Sequence, residues 1–336
     1  MTKILEQADV TAKRLPIPVA AGRHHGIDAL RFVLCFAVAL LHTMPRGDVG
    51  VPPLWVVITG SVCRGAVPFF FITSRFFVRV PDRLDWKFLS RPVIRIFPVY
   101  AVWMAIYFAI DVHDTGKVPH IGFRELLTGG TALHLWFLPA LAVAMIAVPV
   151  LLINAGRTAT WLICLALAGV NLAFVAYRDI LHLPEIPGTR AMIAPLLFLV
   201  GMEIARKAPI PKLSVAIFAV AVVWIITISE EFAISYLSKS PLVSHSSVAT
   251  TYIFGSAIFL LAQALPGLRF IRFFSSLGII SLGIYASHLI FVRIFANLIG
   301  GATLATALAA AAAAIVSATI LCLALNRSPL TRRFVR

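Results

Sequence analysis

Acidic residues are scarce in this chain. Its 336 residues hold 14 Asp and Glu against 29 Lys and Arg, and 13% are charged while 60% are hydrophobic. So little charge excludes a soluble domain with a solvated surface. Cysteine is sparse too. Cys35, Cys63, Cys164 and Cys322 all lie in apolar stretches and form no close pair, so they indicate no metal site. The first 26 residues lack the apolar core of a signal peptide. No P-loop, zinc motif or G-x-S-x-G elbow occurs, and no internal repeat of the transporter kind. The net charge of +15 does not point to nucleic acid, because the cations are spread over short connections where membrane topology accounts for them.

What the chain has instead is a series of apolar blocks near twenty residues long, the length that spans a bilayer as a helix. Ten spans are expected, at 27–45, 55–78, 93–111, 133–153, 158–177, 190–206, 211–229, 247–265, 277–299 and 302–325. The predicted fold is all-α, a polytopic membrane protein with about ten transmembrane helices and both termini cytoplasmic. Residues 1–26 form a cytoplasmic N-terminal segment, 27–325 the membrane domain and 326–336 a cytoplasmic tail. The basic residues support this orientation. Nineteen fall in segments assigned inside, and only Arg46, Lys117, Arg124, Arg178, Arg190 and Lys239 in segments assigned outside. Glu230 and Glu231 open the expected outer connection 230–246.

Polar residues within the spans are the candidates for chemistry, because ionisable groups in a bilayer are costly unless used. Arg31 and His42 are eleven residues apart. Eleven helical residues turn through about 1100° and rise about 16 Å, so the two share a face at different depths. Asp28 lies near that face, three residues before Arg31. A histidine exchanges protons near neutral pH, which suits activation of a hydroxyl. The plainer alternative is an Asp28–Arg31 ion pair at the interface with His42 closing the span. In the ninth span Ser281, Tyr285 and His288 fall at i, i+4 and i+7, on one face. Such a stripe faces protein or water rather than lipid, and interhelical hydrogen bonding alone would satisfy it.

Arg79, Arg83, Lys87, Arg91 and Arg95 form a basic inner segment, suited either to topology or to gripping a phosphorylated cofactor. Arg64 and Arg75 repeat the eleven-residue spacing in the second span and suggest a polar path. Glu203 is expected to pair locally with Arg206. His134 and Trp136 open the fourth span from the outside, where Trp136 suits an interfacial belt.

Taken in order, these motifs resemble the acyltransferase-3 family of integral membrane acyltransferases. Asp28-Ala-Leu-Arg31, ten residues, then His42 resembles its opening R-x10-H motif. Val67-Pro-Phe-Phe-Phe-Ile-Thr-Ser74 resembles its second-helix motif, and Arg95-Ile-Phe-Pro-Val-Tyr100 the approach to its third helix. His134-Leu-Trp-Phe-Leu-Pro139 and Ser281-Leu-Gly-Ile-Tyr-Ala-Ser-His288 match later blocks. Two positions depart from the pattern: Pro92 stands where an arginine is usual, and Arg75 where a glycine is.

The resemblance implies transfer of an acyl group, most often acetyl from cytoplasmic acetyl-CoA, to a hydroxyl of an extracytoplasmic glycan or lipid-linked sugar. It implies a multi-pass protein of the cell inner membrane, with acyl-CoA as donor and no metal. A separate periplasmic partner is a further expectation, and contact with nucleic acid is not expected. His42 is implied as the essential histidine with Arg31 as its partner; Asp28 and His288 complete the expected catalytic set. Arg91, Arg95, Arg75 and Tyr285 are the expected donor-binding residues, and Trp136, His134 and Arg64 the expected acceptor-binding residues. The runner-up from another class is a transporter or flippase for a glycan or lipid precursor, without acyl transfer.

Overall fold

The computed structural model describes residues 24–45, 53–76, 85–130, 132–207, 209–239 and 247–335. Among these residues the chain is helical, with no strand. The helices are α1 (His25–Thr43), α2 (Leu54–Arg64), α3 (Ala66–Phe76), α4 (Trp86–Thr115), α5 (Phe123–Thr128), α6 (Phe137–Asn154), α7 (Gly156–Asn171), α8 (Ala194–Lys207), α9 (Leu213–Ser238), α10 (Ala249–Ala264), α11 (Arg269–Gly278), α12 (Ser281–Ile299), α13 (Leu304–Arg327) and α14 (Pro329–Arg332). Among the described residues, eight segments are long and apolar enough to cross a membrane. The chain is an all-α, multi-pass membrane protein.

All ten expected spans fall on helix, with four differences. The sixth and eighth are short: Ala194–Lys207 has 14 residues, entered through a 3-10 turn at Thr189–Ile193, and Ala249–Ala264 has 16. The second is broken at Gly65 into α2 and α3. The seventh runs on to Ser238, so Glu230 and Glu231 lie within α9 rather than in a connection. The ninth begins at Ser281; the residues before it belong to α11, a short amphipathic helix. That helix buries Ile271 and Ser275 and exposes Phe270 and Phe273.

The first helix is the hub, packed against α2, α10, α11, α12 and α13. Glycines set how closely its neighbours approach. A Cβ on Gly278 of α11 would stand 2.1 Å from the Asp28 carbonyl oxygen, near one end of α1. A Cβ on Gly301, before α13, would stand 2.0 Å from the Thr43 carbonyl oxygen at the other end. Only a residue without a side chain fits at either point. α1 is thus pinned at both ends, which fixes the depths of Arg31 and His42 between them.

The 30-residue α4 carries Pro92 and Pro98. Each removes a main-chain donor, and Asp85 caps the start by accepting the Phe88 N–H at 2.6 Å. After α14 the chain turns back into the bundle. The Phe334 carbonyl accepts from Trp103 Nε1 of α4 at 3.1 Å, and the Val335 carbonyl accepts the Gly283 N–H of α12 at 3.2 Å. Val335 is fully buried there.

Candidate active site

A cleft enclosing about 780 Å³ of empty space opens between α1, α3, α4, α6 and α12. Its polar lining is Arg31, Thr73, Ser74, Arg95, Ser281 and Tyr285, and its apolar lining includes Phe70, Phe137, Leu141 and Met145. Two guanidinium groups, Arg31 from α1 and Arg95 from α4, reach it from separate helices. Asp28 Oδ1 lies 3.7 Å from Arg31, an i,i+3 pair that anchors the arginine from one side. Thr73 and Ser74 hydroxyls donate to the Phe70 carbonyl at 3.1 and 2.6 Å, leaving their oxygen lone pairs for other donors. Cys35 Sγ donates to the Ser281 carbonyl at 3.5 Å and ties α1 to the start of α12.

Tyr285 closes the cleft and begins a second polar group. Its hydroxyl donates to the His134 carbonyl, across the bundle on the approach to α6. Its ring packs against Phe70, Phe137, His134 and His288. Three imidazoles follow. The His134 and His288 centroids are 5.1 Å apart with planes at 81°, and those of His42 and His288 are 5.7 Å apart. His134 and His288 are buried and His42 is half-buried. Residues 42, 134 and 288 come from three separate helical segments, so only the folded bundle assembles them.

Beyond the imidazoles lies a third group that sequence reasoning missed. The Tyr107 ring packs edge-on against His134 at 5.1 Å, and its hydroxyl donates to the Ala286 carbonyl at 2.9 Å. The Arg293 guanidinium carbon stands 6.0 Å from that ring centroid, and Arg293 binds Asp111 at 2.8 Å. Arg293 was legible as an arginine in an apolar span, five residues after His288. Asp111 closes an expected span and resembles an ordinary boundary residue. Arg31 and Arg95, then Tyr285, the three histidines, Tyr107 and the Arg293–Asp111 pair form one polar series through an apolar bundle.

Other expected site residues stand apart from this series. Arg64 is buried and binds Glu231 of α9 at 2.8 Å; it does not line the cleft. Beside this pair, Trp224 Nε1 donates to Ser61 Oγ at 2.9 Å, and Glu230 accepts the Ala249 and Thr250 N–H groups at the start of α10. Tyr177 donates to Glu230 as well. Trp136 is half-buried against Phe71, with ring centroids 6.1 Å apart. Arg91 is exposed on α4 outside the cleft lining. The Arg75 side chain lies outside the described residues, as do Arg79 and Arg83. Glu203 pairs with Arg157 of α7 at 2.6 Å, an interhelical bridge; the side chain of Arg206, its expected local partner, lies outside the described residues. Among the described residues, no group of three or more His, Cys, Asp or Glu side chains is arranged to hold a metal ion.

Fold and site together define a multi-pass membrane protein with a histidine-bearing polar path inside its bundle. The chain belongs to the acyltransferase-3 family, described as an acyltransferase domain, which it matches over residues 24–327. The match makes residues 24–327 an acyltransferase domain, here built of membrane-length helices. Parts of it are also similar to curated racemases. One amino-acid racemase of Enterococcus faecalis is 30% identical over 122 residues, covering 35% of this chain and 17% of that protein. Another from the same organism is 29% identical over 160 residues, covering 44% and 23%. A serine/alanine racemase of Enterococcus gallinarum is 29% identical over 145 residues, covering 39% and 20%. The chain thus spans 17 to 23% of these relatives' length. No solved structure matches the chain.

Proposed function

We propose that this chain moves an acyl group, with acetyl favoured, from acyl-CoA to a hydroxyl of an extracytoplasmic glycan or lipid-linked sugar, and that it sits in the cell inner membrane. The observation that carries this reading is the contact of a cleft holding Arg31 and Arg95 with a cluster of three histidines, Tyr285 standing between them. Guanidinium groups suit the phosphates of a coenzyme A donor, and imidazoles suit a hydroxyl acceptor. Arg91 stands on the same helix as Arg95, one turn nearer its start, and Arg75 follows Ser74 on α3. Arg91 extends the basic approach to the cleft.

The donor enters from the cytoplasm with its phosphates held by Arg95, Arg91 and Arg31. Asp28 keeps Arg31 aimed. The thioester reaches past Tyr285 to His42. There His42 acts as general base: it takes the hydroxyl proton as the oxygen attacks the thioester carbon. The C–O bond forms, the C–S bond breaks, and the thiolate leaves and is protonated. A base mechanism needs fewer steps than a covalent acyl-histidine. The acceptor arrives from the opposite face, where Trp136 offers an aromatic wall and His134 a polar one. A separate periplasmic protein would present or carry away the glycan.

Inside-out vesicles supplied with isotope-labelled acetyl-CoA test this reading. Label should enter the membrane glycan with the wild-type chain and fall to background with His42→Ala. Normal labelling by His42→Ala would overturn it.

A further inference from the structure

Two of the three imidazoles have their tautomers fixed by main-chain carbonyls. His288 Nδ1 lies 2.5 Å from the Tyr285 carbonyl oxygen, and His134 Nε2 lies 3.2 Å from the Ala286 carbonyl oxygen. A carbonyl only accepts, so each of these nitrogens carries the hydrogen. In a neutral ring the other nitrogen is then a bare lone pair: Nε2 on His288 and Nδ1 on His134. Both of those atoms are buried, and neither has a hydrogen-bond partner among the described residues. A buried acceptor without a donor is unfavourable, and native interiors hold few of them. Here two occur on rings in contact, held by consecutive carbonyls of α12, and one of those rings packs on His42.

We infer that His134 Nδ1 and His288 Nε2 are paired hydrogen-bond acceptors for the hydroxyl groups of the acceptor substrate, holding the reacting hydroxyl beside His42. This rests on the acyl-transfer reading above and adds the substrate chemistry. The reacting end of the acceptor is a neutral group with at least two donors, such as neighbouring hydroxyls of a sugar ring. Phosphate and carboxylate oxygens have no hydrogen to give and would meet lone pair with lone pair. Any anionic group on the acceptor therefore lies outside this pair. The Tyr107 and Tyr285 hydroxyls are already committed to the Ala286 and His134 carbonyls, so they do not compete for the same hydrogens.

The test separates each carbonyl bond from its lone pair. Asparagine places an N–H donor where His288 Nδ1 stands and has nothing at Nε2; glutamine does the same for His134 Nε2 and lacks Nδ1. His288→Asn and His134→Gln therefore keep the packing bond and lose the acceptor. Labelled acetyl-CoA transfer in inside-out vesicles should fall at least about tenfold in each, the size expected for one lost buried hydrogen bond to substrate. Acetyl-CoA binding to the purified variants and their melting temperatures should match wild type. Wild-type transfer by both variants would overturn the inference. A wild-type chain that transfers no acetyl group would instead defeat the acyl-transfer reading. Nitrogen-15 NMR of histidine-labelled protein decides the tautomers without any turnover. The expected result is one bare nitrogen on each ring, at Nε2 of His288 and Nδ1 of His134. The opposite tautomers, or rings protonated at both nitrogens, would overturn it.

Discussion

A guanidinium and a carboxylate meet inside the apolar bundle at Arg64 and Glu231, with side-chain exposures of 7% and 0%. Each charge is tolerable only because the other is there, so the cost of losing one partner is the cost of stranding the other. Arg64→Met or Glu231→Leu alone should lower stability by about 3–5 kcal/mol, while the double variant should recover most of that loss. Thermal unfolding of the three proteins in detergent micelles measures it. An additive double variant would show that the pair is not coupled. Single residues were unevenly legible in the sequence. Arg31, Asp28, Tyr285, His134 and His288 stand out because polar groups in apolar helices are few, and the structure draws them into one series. Arg64 stands out for the same reason, yet its partner is an acid on α9. That acid passed for part of an outer connection because two adjacent glutamates lower local hydropathy. Tyr107 carries no local signal, since tyrosine is ordinary in such helices.

At the scale of elements, the close approach of α11 to α1 governs where Asp28 and Arg31 sit. Gly278→Ala puts a methyl group against the Asp28 carbonyl, and overpacking of that kind costs about 1–3 kcal/mol. It should lower the melting temperature and also weaken acyl-CoA binding, because the displaced turn carries the Asp28–Arg31 pair. A substitution such as Phe273→Ser, on the exposed face of the same helix, should leave acyl-CoA binding unchanged. Unchanged acyl-CoA binding by Gly278→Ala would separate the cleft of Arg31 and Arg95 from this contact. Helix existence was readable from apolar runs alone, and the expected spans fall on helices. Helix limits were less so. The break at Gly65 and the turn between α11 and α12 interrupt apolar runs without any change of composition; they follow from packing against helices distant in sequence. The docking of Phe334 and Val335 against α4 and α12 was likewise invisible in a short polar tail.

For the whole molecule, the significant arrangement is a polar series with a different chemistry at each end. One end offers two arginines in an open cleft, the middle offers Tyr285 and three imidazoles, and the far end offers the Arg293–Asp111 pair over Tyr107. The family motifs lie far apart in sequence, at Arg31, Ser74, Arg95, His134 and Ser281, and the bundle brings them to the same cleft and cluster. Such an arrangement suits two substrates that approach from opposite faces and meet at His42. The direct measurement is sided transfer. The purified chain is reconstituted into sealed vesicles with its basic connections facing the medium, and labelled acetyl-CoA is supplied outside while a glycan acceptor is enclosed within. The expected result is labelled acetyl ester on the enclosed glycan, with coenzyme A released outside. Acetylation only when donor and acceptor share one compartment would contradict the account.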